Sequence, residues 1–174
     1  MLLCVIQDRQ FGVRNQLVFH GGGMMETMNG FLGDRVLVNG QPQPTTEVDA
    51  AWHRVRLLNG SNARIDKLAW SRDVPMAVIG GDGGLFETPL HQQALMLAPG
   101  QRADLWLDLT GVAVGTDVHL ESQAFGEADA GVVEMMGMRG QRPLSDAVVA
   151  GGRQINASIN SARRLDSSPT RVAA

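Results

Sequence analysis

Four histidines and one cysteine, His20, His53, His91, His119 and Cys4, are the side chains best suited to metal or nucleophilic chemistry here. They are scattered. No His-x-His pair and no His-Glu-x-x-His run occurs, and those are the spacings that bring two imidazoles to one metal ion. A blue-copper centre needs two histidines and a cysteine around the metal, often with a distant methionine. Cys4 is followed by Val5-Ile6-Gln7-Asp8, with no histidine nearby. Each histidine therefore reads as a surface or hydrogen-bonded structural residue. Cys4, within an apolar run, reads as a small buried side chain.

Other chemistry is equally sparse. Met24, Met25 and Met28 form one methionine group and Met135, Met136 and Met138 another. Thioethers are soft enough for Cu(I), but methionine more often fills gaps or sits in loops, and that is the reading adopted here. Ser61 and Ser71 lack the context of a nucleophile elbow. Asp104 and Asp108 share one strand face, a spacing that reads as a solvated surface rather than a catalytic pair. No Gly-Lys pair exists, so there is no Walker loop, and Gly80-Gly81-Asp82-Gly83-Gly84 does not satisfy the dinucleotide fingerprint. It reads as a tight turn with positive φ angles. Asn59-Gly60-Ser61 and Asn156-Ala157-Ser158 match the glycosylation sequon, a pattern that arises often by chance.

The elements that would position these residues are strands. Period-two stretches punctuated by Gly, Asn, Asp and Pro predict strands over 2–7, 17–20, 35–39, 52–58, 63–70, 75–80, 93–97, 102–109 and 117–125. The alternation at 102–109 is the sharpest. Ala103, Leu105, Leu107 and Leu109 face one way and Arg102, Asp104, Trp106 and Asp108 the other, giving one dry and one wetter face. Asn39-Gly40 and Asn59-Gly60 are expected at tight turns, because Asn and Gly tolerate left-handed backbone angles. No long amphipathic helix is expected before residue 139. Short strands with frequent turn signals predict a sandwich or barrel.

Composition bounds the rest. A chain of 174 residues suits one domain, and its single cysteine excludes an intrachain disulfide and a cysteine-based zinc knuckle. No apolar run reaches the ~18–20 residues of a membrane helix, so neither a membrane nor, given a formal charge of −3, a nucleic acid is an expected partner. The charge is uneven. Residues 1–138 carry nine basic and sixteen acidic side chains, whereas 139–174 carry six Arg and two Asp and no aromatic. We therefore expect a folded domain over 1–138 and a basic tail over 139–174, disordered or a short helix. Met1 to Ile6 is cut short by Asp8 and Arg9, so it does not read as a signal peptide. The start inside a strand suggests a piece of something longer.

Six motifs in order resemble the middle domain of three-domain multicopper oxidases, the bacterial laccase, spore-coat oxidase and cuprous oxidase group. They are Val5-Ile6-Gln7-Asp8-Arg9-Gln10-Phe11, Gly30-Phe31-Leu32-Gly33-Asp34, Val38-Asn39-Gly40, Arg56-Leu57-Leu58-Asn59-Gly60-Ser61-Asn62-Ala63-Arg64, Val78-Ile79-Gly80-Gly81-Asp82-Gly83-Gly84 and Leu97-Ala98-Pro99-Gly100-Gln101-Arg102-Ala103-Asp104. The resemblance covers about residues 2–125 and does not reach the tail. It implies an all-β, cupredoxin-like Greek-key β-sandwich, followed by a C-terminal tail of uncertain structure.

The resemblance also accounts for the missing ligands. In that family the first and third domains hold the copper, through His-x-His pairs and a His-Cys-His segment, and the middle domain usually holds none. It therefore assigns no catalytic, cofactor-binding or metal-binding residue to this chain. Copper belongs to the parent family only. The expected function is a non-catalytic middle domain or fragment, partnered by flanking cupredoxin domains or other subunits, in a periplasmic or secreted parent. That parent would couple one-electron oxidation of phenols or metal ions to reduction of oxygen to water. The alternative is a copper-free structural or protein-binding module of the same fold, similar to a periplasmic cell-division protein. A free-standing oxidase with copper between subunits would need the absent histidine segments. Asp8, Arg9, Arg56 and Arg64, all within the motifs, are candidates for structural ion pairs.

Overall fold

The protein is described by a computed structural model over residues 1–19, 24, 28 and 30–124 and the strand 157–161. In chain order the strands are β1 (Leu2–Phe11), β2 (Leu17–Val18), β3 (Arg35–Val38), β4 (Thr45–Val48), β5 (Trp52–Asn59) and β6 (Asp66–Trp70). Then follow β7 (Met76–Gly81), β8 (Gly84–Gln92), β9 (Leu95–Leu97), β10 (Arg102–Asp108), β11 (Asp117–Gln123) and β12 (Ala157–Ser161). A single 3-10 turn, Ser71–Asp73, separates β6 from β7. No helix among the described residues is long and apolar enough to cross a membrane.

The strands form two sheets. The larger runs β2-β1-β5-β10-β7-β8, with β3 also on β1, and the smaller runs β4-β12-β11-β6-β9. Most neighbours are antiparallel, but β1 and β5 run parallel, as do β12 and β4. Alternation explains how the sheets close on each other. Ala103, Leu105, Leu107 and Leu109 are all buried, as expected, and join Ile6, Val55, Leu57, Met76 and Val78 from the larger sheet. Leu68, Trp70, Leu97, Val118 and Leu120 meet them from the smaller one. These inner rows make one continuous apolar core, which is what drives two half-apolar sheets together.

The turn chemistry is partly as expected. Asn39 and Gly40 have φ of 53° and 79°, and Val38 and Gln41 exchange both main-chain hydrogen bonds across them, at 2.9 and 3.1 Å. This is the two-residue hairpin that an Asn-Gly pair specifies. The glycine run after β7 also turns, with Gly84 at φ 119° and Gly81 opposite Gly84 in the hairpin. Asn59-Gly60 differs from expectation. Neither residue has a positive φ, and Asn59 ends β5 fully buried. Its amide is needed for cross-linking rather than for a left-handed turn.

β4 and β8 lie where no strand is expected from the sequence. β4 follows the prolines at 42 and 44 and exposes its first three residues. β8 is exposed on both faces from Gly84 to His91 and ends the larger sheet. Such a strand carries no alternating pattern, and Pro89 within it suits an edge position. Most of the stretch read as a basic tail, 139–174, lies outside the described residues, but β12 falls inside it and pairs with β11 and β4.

Candidate functional site

Three inner rows end in polar residues at the same end of the core. On β1, Ile6 is followed on its face by Asp8. On β5, Val55 and Leu57 are followed by Asn59. On β6, Leu68 and Trp70 are preceded by Asp66. All three polar side chains are buried, with Asp8 and Asn59 at 0% exposure and Asp66 at 1%. Ile6 and Asn59 are register partners across the parallel β1–β5 pair, which fixes the layer's place at the sandwich end.

Hydrogen bonds join this layer to the loops around it. Asp8 Oδ2 accepts from Arg64 Nε at 2.9 Å and from the Gly33 main-chain N–H at 2.6 Å. Arg64 Nη2 donates to the Gly33 carbonyl at 2.7 Å, so one guanidinium clamps both a carboxylate and a loop. The Asp8 N–H donates to Ser61 Oγ at 3.1 Å. Asn59 Nδ2 donates to the carbonyls of Arg64 and Leu97, both at 2.8 Å, and its Oδ1 accepts from the Ser61 N–H at 2.9 Å. Gly33 sits so tightly that a Cβ there would lie 2.7 Å from the Arg9 carbonyl carbon and oxygen. Five of the motif residues thus serve as fasteners between strands and loops.

Asp66 is the member of the layer with the weakest support. Ser122 Oγ, on β11, donates to its Oδ1 at 3.0 Å. Its Oδ2 and the Oδ1 of Asp8 are both buried without a hydrogen-bond partner. Burial pushes the Asp66 carboxyl up to about 6; the Ser122 hydrogen bond and the Arg64 charge oppose the rise, and the Asp8 charge adds to it.

A second cluster lies on the outer face of the larger sheet. Asp104 on β10 accepts from Arg54 Nη2 at 2.6 Å and from Arg56 Nε at 2.9 Å, both on β5. Burial acts to raise the Asp104 carboxyl, but the two arginines outweigh it and hold the group below the usual carboxylate range. The expectation of a merely solvated face is corrected at this residue: two guanidinium groups, rather than water, cover Asp104. Asp108 remains a surface group that accepts from the Thr110 hydroxyl at 2.7 Å. Beside them Trp52 and Trp106 meet edge to face, with ring centroids 6.4 Å apart, and both are exposed, as is Leu3.

Arg64 pairs with Asp8 and Arg56 with Asp104, whereas Arg9 bonds the Asp8 carbonyl and the Gln7 side chain. Arg54 also reaches Asp104, and its place two residues before Arg56 on an alternating strand is the sequence signal for it. His53 Nε2 lies 2.8 Å from the Asp49 carbonyl, and His91 is exposed on β8. The His119 main-chain N–H donates to Ser71 Oγ. Cys4 packs against the core, and burial pushes its thiol up to about 11. Among the described residues no three His, Cys, Asp or Glu side chains converge where a metal ion could sit. Met24 and Met28 are exposed. His20, Met25, Met135, Met136, Met138 and Asn156 lie outside the described residues.

Comparison with known proteins agrees with this geometry. No protein-family model matches the chain. Curated relatives include the cell division protein FtsP of Edwardsiella tarda, 48% identical over 81 residues, which are 47% of this chain and 17% of that protein. FtsP of Sodalis glossinidius is 39% identical over 106 residues, 61% of this chain and 22% of that one. The matched stretch is thus about a fifth of those relatives' length. Among solved structures, the McoA multicopper oxidase of Aquifex aeolicus superposes with a TM-score of 0.72 at 27% identity, over 97% of this chain and 32% of that one. A laccase from Pediococcus acidilactici superposes with 0.63 at 34% identity, over 71% and 26%. In fold, this chain matches the cupredoxin-like domains of multicopper oxidases.

Proposed function

We propose that the chain is a non-catalytic packing module, the middle cupredoxin-like domain of a longer protein of multicopper oxidase type. The observation that carries this reading is what the motif residues do. Asp8, Gly33, Asn59, Ser61 and Arg64 turn their polar groups inward and onto one another, leaving none aimed at a substrate. The matched solved structures extend well beyond the aligned region, which supports flanking domains as partners. The exposed Trp52, Trp106 and Leu3 on the outer sheet face suit packing against them. The parent would be periplasmic or secreted. Copper, oxygen reduction and substrate oxidation would belong to its other domains.

A second reading is favoured by the curated relatives, which are named as cell division proteins. In it the parent is a copper-free structural or protein-binding module that keeps the fold. Both readings predict that the 174-residue chain takes up no stoichiometric copper and has no laccase activity. Metal analysis and an absorption scan after copper loading test this, and one tightly held copper per chain would overturn both. The two separate on the coding sequence beside these residues: His-x-His and His-Cys-His segments there would favour the oxidase, and their absence the copper-free module.

A further inference from the structure

The polar layer contains two buried carboxylates and one guanidinium. Arg64 is already committed, with Nε on Asp8 and Nη2 on the Gly33 carbonyl. Asp66 receives one neutral hydrogen bond, from Ser122, and each carboxylate keeps one buried oxygen without a partner. With both ionised, the layer holds an uncompensated negative charge away from water, which is costly in a low-dielectric interior. A proton is the smallest species that removes it.

We propose that the Asp8–Arg64–Asp66 layer is a proton-binding lock, in which Asp66 takes up a proton and its release loosens the end of the sandwich where the two sheets meet. The groups facing Asp66 define the lock. From β1 comes Asp8, from the segment before β6 comes Arg64, and from β11 comes the Ser122 hydroxyl. β9 presents Leu97, which carries no charge, as its register partner. Lys67 and Glu121 are adjacent in sequence to Asp66 and Ser122 and alternate onto the opposite faces of β6 and β11. The raised Asp66 carboxyl supports this account, and the geometry supplies the cause.

The sign follows from linkage. A carboxyl whose folded-state value lies near 6, above an unfolded value near 3.8, stabilises the fold fully below the lower value. That stabilisation is lost as pH rises through the higher one.

The test is urea unfolding of the full 174-residue chain from pH 4 to 8, alongside Asp66→Asn. The Asn side chain keeps the shape and can still accept from Ser122. In the unsubstituted chain the unfolding constant should rise by up to about a hundredfold across this range, and in Asp66→Asn this component should vanish. The difference between the two isolates Asp66 from the histidines, which titrate in both. An identical slope in the two proteins would overturn the proposal. If Asp66→Asn does not fold, carbon NMR of the Asp66 carboxyl in the unsubstituted chain decides. A midpoint near 6 supports the lock, and one near 4 overturns it. Ser122→Ala should move that midpoint upward, because it removes the donor that favours the charged form.

Discussion

Asp8 and Arg64, fifty-six positions apart in the chain, meet at 2.9 Å where the apolar core ends, with Asp8 wholly screened from solvent. Removing one partner of such a pair strands the other charge in the interior, which typically costs about 3–5 kcal/mol. Arg64→Met should therefore lose stability on that scale in urea unfolding. Asp8→Asn with Arg64→Met should lose less than the sum of the single changes, because the stranded charge is then gone. A loss below about 1 kcal/mol in Arg64→Met would show that the pair is not what closes the core.

Gly33 and Gly83 give a matched contrast. A Cβ at Gly33 would run into the Arg9 main chain, whereas one at Gly83 would meet nothing within 4 Å. Gly33→Ala should destabilise by about 1–3 kcal/mol through forced backbone movement. Gly83→Ala should stay within about 0.5 kcal/mol. Melting temperatures of the two variants check both values.

Asp104 should shape the acid limb of stability. Its carboxyl is held below its ordinary value of 3.8, so its contribution is present above that value and lost as pH falls through the folded-state value. Asp104→Asn should cost about 1 kcal/mol near neutral pH, a modest figure because both arginines are partly in solvent. The gap to the unsubstituted chain should close on acidification and narrow in high salt. Parallel urea titrations at pH 7 and pH 3 would measure it, and an unchanged gap would contradict the assignment.

The Cys4 thiol should be a poor nucleophile. Burial holds it near 11, and the thiolate is the reactive form. Alkylation at pH 8 should be slow in the folded chain and fast in urea, as followed by mass spectrometry. Equal rates would place the thiol in solvent.

Strands with one buried face were legible in the sequence. β10 shows this best, since alternate residues from Ala103 to Leu109 enter the core and the pleat alone dictates that pattern. The Asn39-Gly40 hairpin was legible for a similar reason, as its φ requirement is local. β8 was not, because a strand exposed on both faces has no period to detect. Asp8 and Arg64 were legible as candidates for ion pairing but not as partners, since only the β1–β5 register and the 30–34 segment bring them together. Asn59 read as a turn residue because its chemistry suits both a turn and a buried cross-link, and only the fold decides between them. The covering of Asp104 needed the β5–β10 register, which sets Arg56 directly opposite it.

β1 is hydrogen-bonded along one edge to β3 and along the other to β5, each of whose paired residues lies fifty-three positions further along the chain. β1 therefore cannot complete its place in the sheet until β5 has been made. Closing such long loops before any contact rewards them makes folding slow, in the millisecond-to-second range typical of sandwiches with distant pairings. Until β5 arrives, Leu2, Cys4 and Ile6 lack the strand they pair beside in the folded sheet.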